Sequence, residues 1–568
     1  MPARSSGGLP LLVCLAALAL AWNLDGYRLL DPDEGRNAEV AREMAQTHDY
    51  LVPHLDGLPY LDKPLAYFAV AAGFMDLLGP TETAARLPAY LATLATLALL
   101  ASFARRQWGA QAGWLAAVAY ATMVLPLAYA RTAIFDSALT LCTTAAILWG
   151  YEGRALAAWG AMGAGALTKG PIALAIPLLV LVVHALATGA RVRALFSWRG
   201  LGAFALVVLP WFVAVSLRYP QFPYYVFVRE TFQRLATPSF HRTAPWWFFL
   251  PIVPVAAFPW LVPALAPLRT WPATWRARRE AAAREPLLLA CWVIAPLVLL
   301  TLNQSKLPQY VLPLMPAFAL AAARTLATRG IGAGARIYGA VALAVGAALV
   351  ALTRWLPAPI DLTAAEKAAI PPTAFWLGLV VLCSAALVVL GALRRDVRVG
   401  ALGYAVVVMA IPFVSGGLLA AVGEDRSSAG IAGAMAGALA RAGGGSVVGV
   451  AAYPPSLPFY LRQPVVVATA TARELTSNYI ADYHERYRGA PASPLRPAGF
   501  WREALLRCPA PTIFLATAGD RDARAVLGAT LPLLVADGHY AAYGPCRTPG
   551  RARRPGPGPA LGGFARAR

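Results

Sequence analysis

Apolar runs of about 15–23 residues, broken by short polar turns, recur from the N-terminus almost to position 421. Runs of this length match the hydrocarbon thickness of a bilayer when coiled as α-helices. The pattern predicts spans near 9–22, 84–104, 110–127, 133–150, 154–168, 171–188, 200–217, 246–268, 286–302, 307–328, 333–353, 373–392 and 398–421. The short alternating segments of an outer-membrane barrel are absent. The run 65–79 is also apolar but is read as an interfacial or re-entrant helix. Counting it as a span would put Arg105 and Arg106 outside and invert every later loop. With it set aside, Arg105/Arg106, Arg191/Arg193/Arg199, Arg276/Arg278/Arg279, Arg324/Arg329 and Arg394/Arg395/Arg398 all fall on one side. Arg-rich loops mark the cytoplasmic face, so the N-terminus is placed inside and the C-terminus outside. The runs 154–168 and 171–188 are parted only by Lys169-Gly170-Pro171, and joining them would flip this topology. The first run is read as a retained anchor; small residues at 17–21 also fit a cleaved signal peptide.

Past about 424 the pattern changes. Two β-rich runs, SVVGV (446–450) and PVVVATA (464–470), bracket PPSLPFYL, and PTIFLAT (511–517) follows a helical stretch at 499–507. The expected organisation is a membrane domain over 1–423 with a first external loop at 23–83, and a small α/β domain over 424–548. The Pro/Gly-rich basic tail, 549–568, reads as disordered.

Composition reinforces the membrane reading. The 568 residues are 58% hydrophobic and 14% charged, with a mean hydropathy of +0.57. The net charge of +21 sits largely in the clusters between spans. It signals topology and anionic lipid partners rather than nucleic acid. Four cysteines lie in apolar runs; Cys508 and Cys546 lie in the polar C-terminal part and could pair in an oxidising compartment. No phosphate-binding glycine loop or dinucleotide fingerprint is present.

Five stretches carry candidate chemistry. In LLDPDEGRNAEVAREM (29–44), Asp31 reads as an N-cap, Pro32 as the first turn and Glu34 as the third residue of a capping box. Ala38, Val40, Ala41, Met44 and Ala45 give one apolar face, which predicts a helix lying on the outer membrane surface. Capping does not need Asp33, and Asp33 with Arg36 forms an i,i+3 ion pair that suits a phosphorylated lipid. In LPYLDKPLAYF (58–68), Lys63 reads either as a snorkelling lysine or as a point charge for phosphate. In ARTAIFDSALT (130–140), Asp136 opens a span, either stabilising the helix dipole or serving a site. The loop 218–245 places Arg229, Arg234, His241 and Arg242 outside, against the positive-inside trend. NQSKLPQYVLPLMPAF (303–318) adds Lys306 and Tyr310. Together they predict a cation-lined external cavity with two acids at the water–lipid boundary.

The ordered set DPDEGRNAEVAREM, HLDGLPYLDKP, LLGPTETAARLP, ARTAIFDS and SKLPQYVLPLMPA resembles the bacterial lipid A aminoarabinose transferases. More widely, it resembles polyprenyl-phosphate-sugar glycosyltransferases of protein-O-mannosyltransferase type. The likeness covers roughly 10–330. It implies the GT-C fold, a polytopic α-helical bundle of about thirteen spans with two juxtamembrane helices in the first periplasmic loop, and a small α/β periplasmic domain. It implies Asp33 at the active centre, Lys63 and Arg242 on the lipid phosphate with Arg234 in reserve, and Asp136 as the acid opening the fourth span. Arg36 would assist at the phosphate. A glutamate is expected in the C-terminal domain, with Glu474 the nearest candidate. The implied partners are an undecaprenyl-phosphate-linked sugar and lipid A or another periplasmic-face acceptor, in the bacterial inner membrane. It implies no definite cofactor; a divalent cation between Asp33 and Asp136 stays open. A hydroxyl acceptor on another glycan, lipid or protein is the alternative within the class. The alternative outside it is a lipid-linked sugar flippase, which would show broken helices in related halves.

Overall fold

The computed structural model describes residues 8–192, 196–233, 244–332, 334–354, 362–490 and 493–546. Helix α1 (Leu9–Ala21) leads into a loop that carries α2 (Asp33–Thr47), the hairpin strands β1 (His54–Leu55) and β2 (Leu58–Pro59), and α3 (Ala66–Leu78). The bundle continues through α4 (Glu82–Trp108), α5 (Ala110–Ala121), α6 (Val124–Ala130), α7 (Asp136–Tyr151), α8 (Ala155–Lys169), α9 (Ile172–Thr188) and α10 (Trp198–Arg218). Later long helices are Ala281–Leu302, Met315–Arg329, Gly334–Leu352, Ala364–Arg394 and Val397–Val414. Each expected apolar run coincides with helix. Among the described residues, seven helices are long and apolar enough to cross a membrane, or nine if each of two bent pairs is one span. The remaining four expected runs correspond to α1, α7, α8 and α9, of 13, 16, 15 and 17 residues.

The two bent pairs depart from the continuous helices expected at 110–127 and 246–268. The α5–α6 pair bends by 66°, and Trp246–Ala257 with Leu261–Arg276 bends by 114°. The breaks face one another. The Val124 amide donates to the Phe258 carbonyl at 3.1 Å, and Trp260 Nε1 donates to Thr122 Oγ1 at 2.8 Å. A break inside a bilayer persists only when its freed polar groups find protein partners, and here each break supplies them to the other. The α8/α9 junction is a true interruption at Gly170, whose φ of 80° suits glycine.

The β1–β2 turn is Asp56-Gly57, both with positive φ (54° and 75°), the backbone a two-residue hairpin needs. The C-terminal part holds a six-stranded sheet in the order β5-β4-β3-β6-β8-β7. Its strands are β3 (Ser446–Val450), β4 (Val466–Ala468), β5 (Leu495–Arg496), β6 (Thr512–Thr517), β7 (Leu533–Ala536) and β8 (Tyr540–Tyr543). β5, β4, β3 and β6 run parallel, with Val448 beside both Val466 and Phe514; β8 pairs antiparallel with β6 and β7 with β8. A Cys508–Cys546 disulfide ties the end of helix Phe500–Arg507 to the chain after β8.

One apolar core joins the first loop to this sheet. Leu29, Val40, Phe68 and Ala84 share it with Val447, Val467 and Leu515. The helix α2 is therefore not the surface helix that its apolar face suggested. Every residue from Glu34 to Ala45 is buried, including Arg36, Asn37, Glu39, Arg42 and Glu43. Burying that many polar groups is tolerable only if they are paired. Arg42 donates to both Glu39 oxygens at 2.7 Å and to Gln46 at 2.7 Å, and Asn37 donates to the Ala133 carbonyl at 2.8 Å. The sheet covers the face that the sequence left to water.

Candidate functional site

The head of α2 is fixed by a buried ion pair. Arg86, fully buried on α4, donates to both Glu34 oxygens at 2.9 and 3.0 Å and to the carbonyls of Leu24, Tyr27 and Arg28. Glu34 also accepts from the Ala133 amide at 2.8 Å and the Leu30 amide at 3.1 Å. The back-reaching bond of the expected capping box thus goes to Leu30. Asp31 does not cap: α2 begins at Asp33, Pro32 holds the N-cap position, and no side-chain cap bond forms. Asp31 instead accepts from Ser456 Oγ at 2.7 Å and its amide donates to the Arg426 carbonyl at 2.8 Å. It is a joint between the first loop and the C-terminal part.

Burial pushes the Asp31 carboxyl up to about 7 from an ordinary 3.8, with the Ser456 bonds pulling the other way. The folded state then holds a proton that the unfolded state has released, across about pH 4 to about 7. Stability from this group therefore falls as pH rises through that window and levels off above it. The Asp31→Asn variant is expected to lose that component. Its melting temperature should gain on wild type as pH is raised from 4.5 to 7.5, and two parallel curves of melting temperature against pH would contradict this. Glu43 and Asp56, also buried beside α2, are raised well above the usual carboxylate range by desolvation, so they bias both proteins the same way.

At the start of α2 the Asp33–Arg36 pair forms as the spacing implied, with Arg36 Nη2 donating to Asp33 Oδ1 at 2.6 Å. The Arg36 Nη1 atom donates to the backbone and hydroxyl oxygens of Thr476, both at 3.1 Å, and the guanidinium lies 5.9 Å from the Tyr60 ring centroid. Asp33 keeps 35% of its side chain exposed while Arg36 keeps 9%. The acid is partly open to solvent and the base anchors it.

Lys63 follows β2 and donates to Glu230 Oε1 at 2.7 Å and to the Asp62 carbonyl at 2.7 Å. Glu230 lies on the helical segment Tyr225–Gln233 after α10. Asp62, one residue before Lys63, accepts from the Ser477 and Tyr225 hydroxyls and from the Tyr479 amide at 3.1 Å. Desolvation raises its carboxyl above the ordinary range; Lys63 and the two hydroxyls counter this. The same loop segment grips helix Asn478–Arg488, where Arg229 pairs with Asp482 at 2.5 Å and Gln221 donates to the Tyr479 hydroxyl at 2.6 Å.

Asp136, buried at the start of α7, accepts from Lys169 Nζ at 2.5 Å. Lys169 ends α8 and lies 5.3 Å from the Tyr310 ring centroid. Asp33 and Asp136 are both within electrostatic reach of Tyr129, whose hydroxyl donates to Gln309 at 3.1 Å. This places the α2 head, the start of α7, the end of α8 and the 308–314 turn around one region. Lys306 instead props its own turn, donating to the Asn303 and Ala244 carbonyls at 2.6 and 3.1 Å. Glu474 accepts from Thr469 Oγ1 at 2.8 Å. Arg234, His241 and Arg242 lie outside the described residues. Asp33 and Asp136 each hold a cation of this chain, and among the described residues no group of three or more His, Cys, Asp or Glu is arranged to hold a metal.

Sequence reasoning missed Arg86, Lys169, Asp62 and Glu230. Lys169 served only to separate two spans, although a lysine closing an apolar run is itself a signal of a buried partner. Arg86 sits in LLGPTETAARLP without a role assigned.

Residues 62–214 match the family described as dolichyl-phosphate-mannose-protein mannosyltransferase. Among curated proteins, the undecaprenyl phosphate-α-4-amino-4-deoxy-L-arabinose arabinosyl transferase of Serratia proteamaculans is 33% identical over 327 residues, 55% of this chain and 57% of that protein. The Aeromonas hydrophila protein of the same name is 33% identical over 304 residues, 51% and 54% of the two chains. The matched region thus spans little more than half the length of these relatives. Among solved structures, ArnT of Cupriavidus metallidurans bound to undecaprenyl phosphate superposes with a TM-score of 0.80 at 26% identity, over 96% of this chain and 99% of that one. Its apo form gives 0.77 at 27% identity. The bundle, the loop helices and the C-terminal sheet define a multi-pass membrane protein of the GT-C glycosyltransferase fold. Within that class the chain is ArnT-like.

Proposed function

We propose that the chain is an integral-membrane glycosyltransferase that moves a sugar from undecaprenyl phosphate to an acceptor at the periplasmic face. The donor sugar is 4-amino-4-deoxy-L-arabinose and the acceptor a lipid A phosphate. The observations that carry this reading are the Asp33–Arg36, Lys63–Glu230 and Asp136–Lys169 pairs, the first two within electrostatic reach of Tyr60 and the acids of the first and third within reach of Tyr129, in a chain that follows a lipid-phosphate-bound ArnT over 96% of its length. The Cys508–Cys546 bond agrees with an oxidising compartment for the C-terminal sheet, and the Arg-rich turns lie at the other helix ends.

In the reaction an acceptor oxygen forms a bond to the anomeric carbon as the bond from that carbon to the phosphate oxygen breaks. The electron pair leaves on undecaprenyl phosphate. Lys63 and Arg36 neutralise the charge that grows there, with Arg242 and Arg234, later in the same stretch of sequence, as further cations. Attack opposite the leaving group inverts the anomeric centre. A lipid A phosphate is already ionised, so Asp33 orients the sugar amino group rather than removing a proton; with a hydroxyl acceptor the same carboxylate is the base. Asp136, neutralised by Lys169, shapes the sugar side of the site.

The two broken helices are a feature that transporters share. Here, however, their freed groups are spent on one another rather than left to line a path. The deciding experiment incubates the purified protein in detergent with undecaprenyl-phosphate-aminoarabinose and lipid A and reads product mass. Wild type should add one aminoarabinose, and Asp33→Asn, which loses the positioning of the sugar, should reduce the rate by on the order of 10²-fold. Donor binding without transfer to lipid A would reject this acceptor, and no donor binding would reject the reading altogether.

A further inference from the structure

A cavity away from Asp33 opens at the Arg-rich ends of the helices. It encloses about 330 Å³ between the 262–269 segment, the end of helix Met315–Arg329, residues 330–332, the start of helix Gly334–Leu352 and helix Val397–Val414. Its walls are mainly apolar, including Leu265, Leu326 and Ile331. Two guanidinium groups stand on it, Arg269 and Arg329, both exposed. No carboxylate lines it, and among the described residues neither arginine forms an ion pair. Arg329 donates to Thr270 Oγ1 at 3.2 Å, which ties the two walls together and leaves most of its donors open.

Tyr404 lines the same cavity and is 1% exposed. Its ring packs against Trp260 and Tyr338, with centroids 5.0 and 4.6 Å away. The Tyr338 hydroxyl is paired with Ser384 at 2.7 Å, whereas the Tyr404 hydroxyl has no partner among the described residues. Its oxygen reaches the cavity and is a donor available to a ligand there. The site therefore offers two unneutralised cations, one spare O–H donor and greasy walls, at the Arg-rich ends of the helices.

We propose that this cavity binds the headgroup phosphate of an anionic phospholipid, whose acyl chains run along Leu265, Leu326 and Ile331. A free phosphate would use the arginines but gain nothing from these walls, whereas a phospholipid uses both. Basic pockets between helices on the cytoplasmic side suit such headgroups. The site is separate from the transfer chemistry and does not depend on it.

The full-length protein, stripped of lipid in detergent, would be offered equal phosphatidylglycerol and phosphatidylcholine and weighed intact by native mass spectrometry. Phosphatidylglycerol should be retained with a preference on the order of tenfold. The Arg269→Gln/Arg329→Gln double variant should fall to near parity, and Tyr404→Phe should fall part-way. Should the double variant fail to fold, Leu265→Trp, from an exposed position at the rim, should block retention instead. Equal retention of the two lipids by wild type, or an undiminished preference in the variants, overturns the proposal. Displacement of bound phosphatidylglycerol by equimolar inorganic phosphate would replace the lipid site with a free-anion site.

Discussion

The Lys63→Ala variant is expected to lose 10²–10³-fold in transfer rate while keeping its fold. Lys63 is partly buried, with 19% of its side chain exposed, and its ammonium contacts Glu230 and a backbone carbonyl. In that setting a point charge aimed at a departing phosphate acts through little intervening water, which is where such groups have their greatest effect. Removing it takes away a charge that the departing phosphate monoester, with its extra negative charge, needs more than the donor phosphodiester does. The loss should therefore fall on kcat as well as on donor affinity. Lys63→Arg should recover only part of the rate, because a planar fork cannot take the place of a compact ammonium beside Glu230. The measurement is turnover of undecaprenyl-phosphate-aminoarabinose at saturating and sub-saturating donor, alongside a thermal melt. A Lys63→Ala protein that melts like wild type and turns over within about threefold of it would remove Lys63 from the phosphate site.

The residues that carry this site were legible to the extent that their chemistry is local. Asp33 and Arg36 are three apart on one helix, and they pair as that spacing implies. Lys63 and Asp136 stood out because charges beside apolar runs are costly and hence purposeful. Their partners were not legible. Glu230 is 167 residues from Lys63, Lys169 is 33 from Asp136, and Arg86 is 52 from Glu34. No periodicity connects positions so separated; only the packing of the helices brings them together.

The same distinction runs through the fold. Helix positions followed from apolar length, since a bilayer leaves the backbone little other choice. The breaks at Thr122 and Phe258 were hidden, because apolarity continues across them and the compensating bonds come from another helix. β3, β4 and β6 announced themselves as β-branched runs; β5, β7 and β8, of two, four and four residues, did not. For α2 the apolar face was read correctly and its environment was not. A sequence shows that Glu39 and Arg42 are charged and spaced to pair, but not that the pair will be buried under a sheet from the far end of the chain.

Arg86→Ala should be the most damaging single substitution to stability, at about 3–5 kcal/mol, because it leaves a charge buried without its partner. Glu34 is 1% exposed and Arg86 0% exposed, so water cannot replace what is lost. Arg86 also gathers the carbonyls of Leu24 at 2.5 Å, Tyr27 at 3.0 Å and Arg28 at 3.2 Å, and lies 3.8 Å from the Tyr27 ring centroid. Those three carbonyls belong to the turn that carries the chain from α1 into α2. Without the guanidinium that turn loses its fastening to α4, and Asp33 and Arg36 lose their fixed position. Activity should therefore fall together with the melting temperature. Glu34→Gln should cost less than Arg86→Ala, since the amide oxygen still accepts from Arg86 and no lone carboxylate remains. The Glu34→Gln/Arg86→Met pair should be milder than Arg86→Ala alone, because both charges leave together and the cavity is partly refilled. A double-mutant cycle read by thermal melts in detergent measures the coupling. A value below about 1 kcal/mol, the range of an exposed surface pair, would show that this bridge does not hold the head of α2 in place.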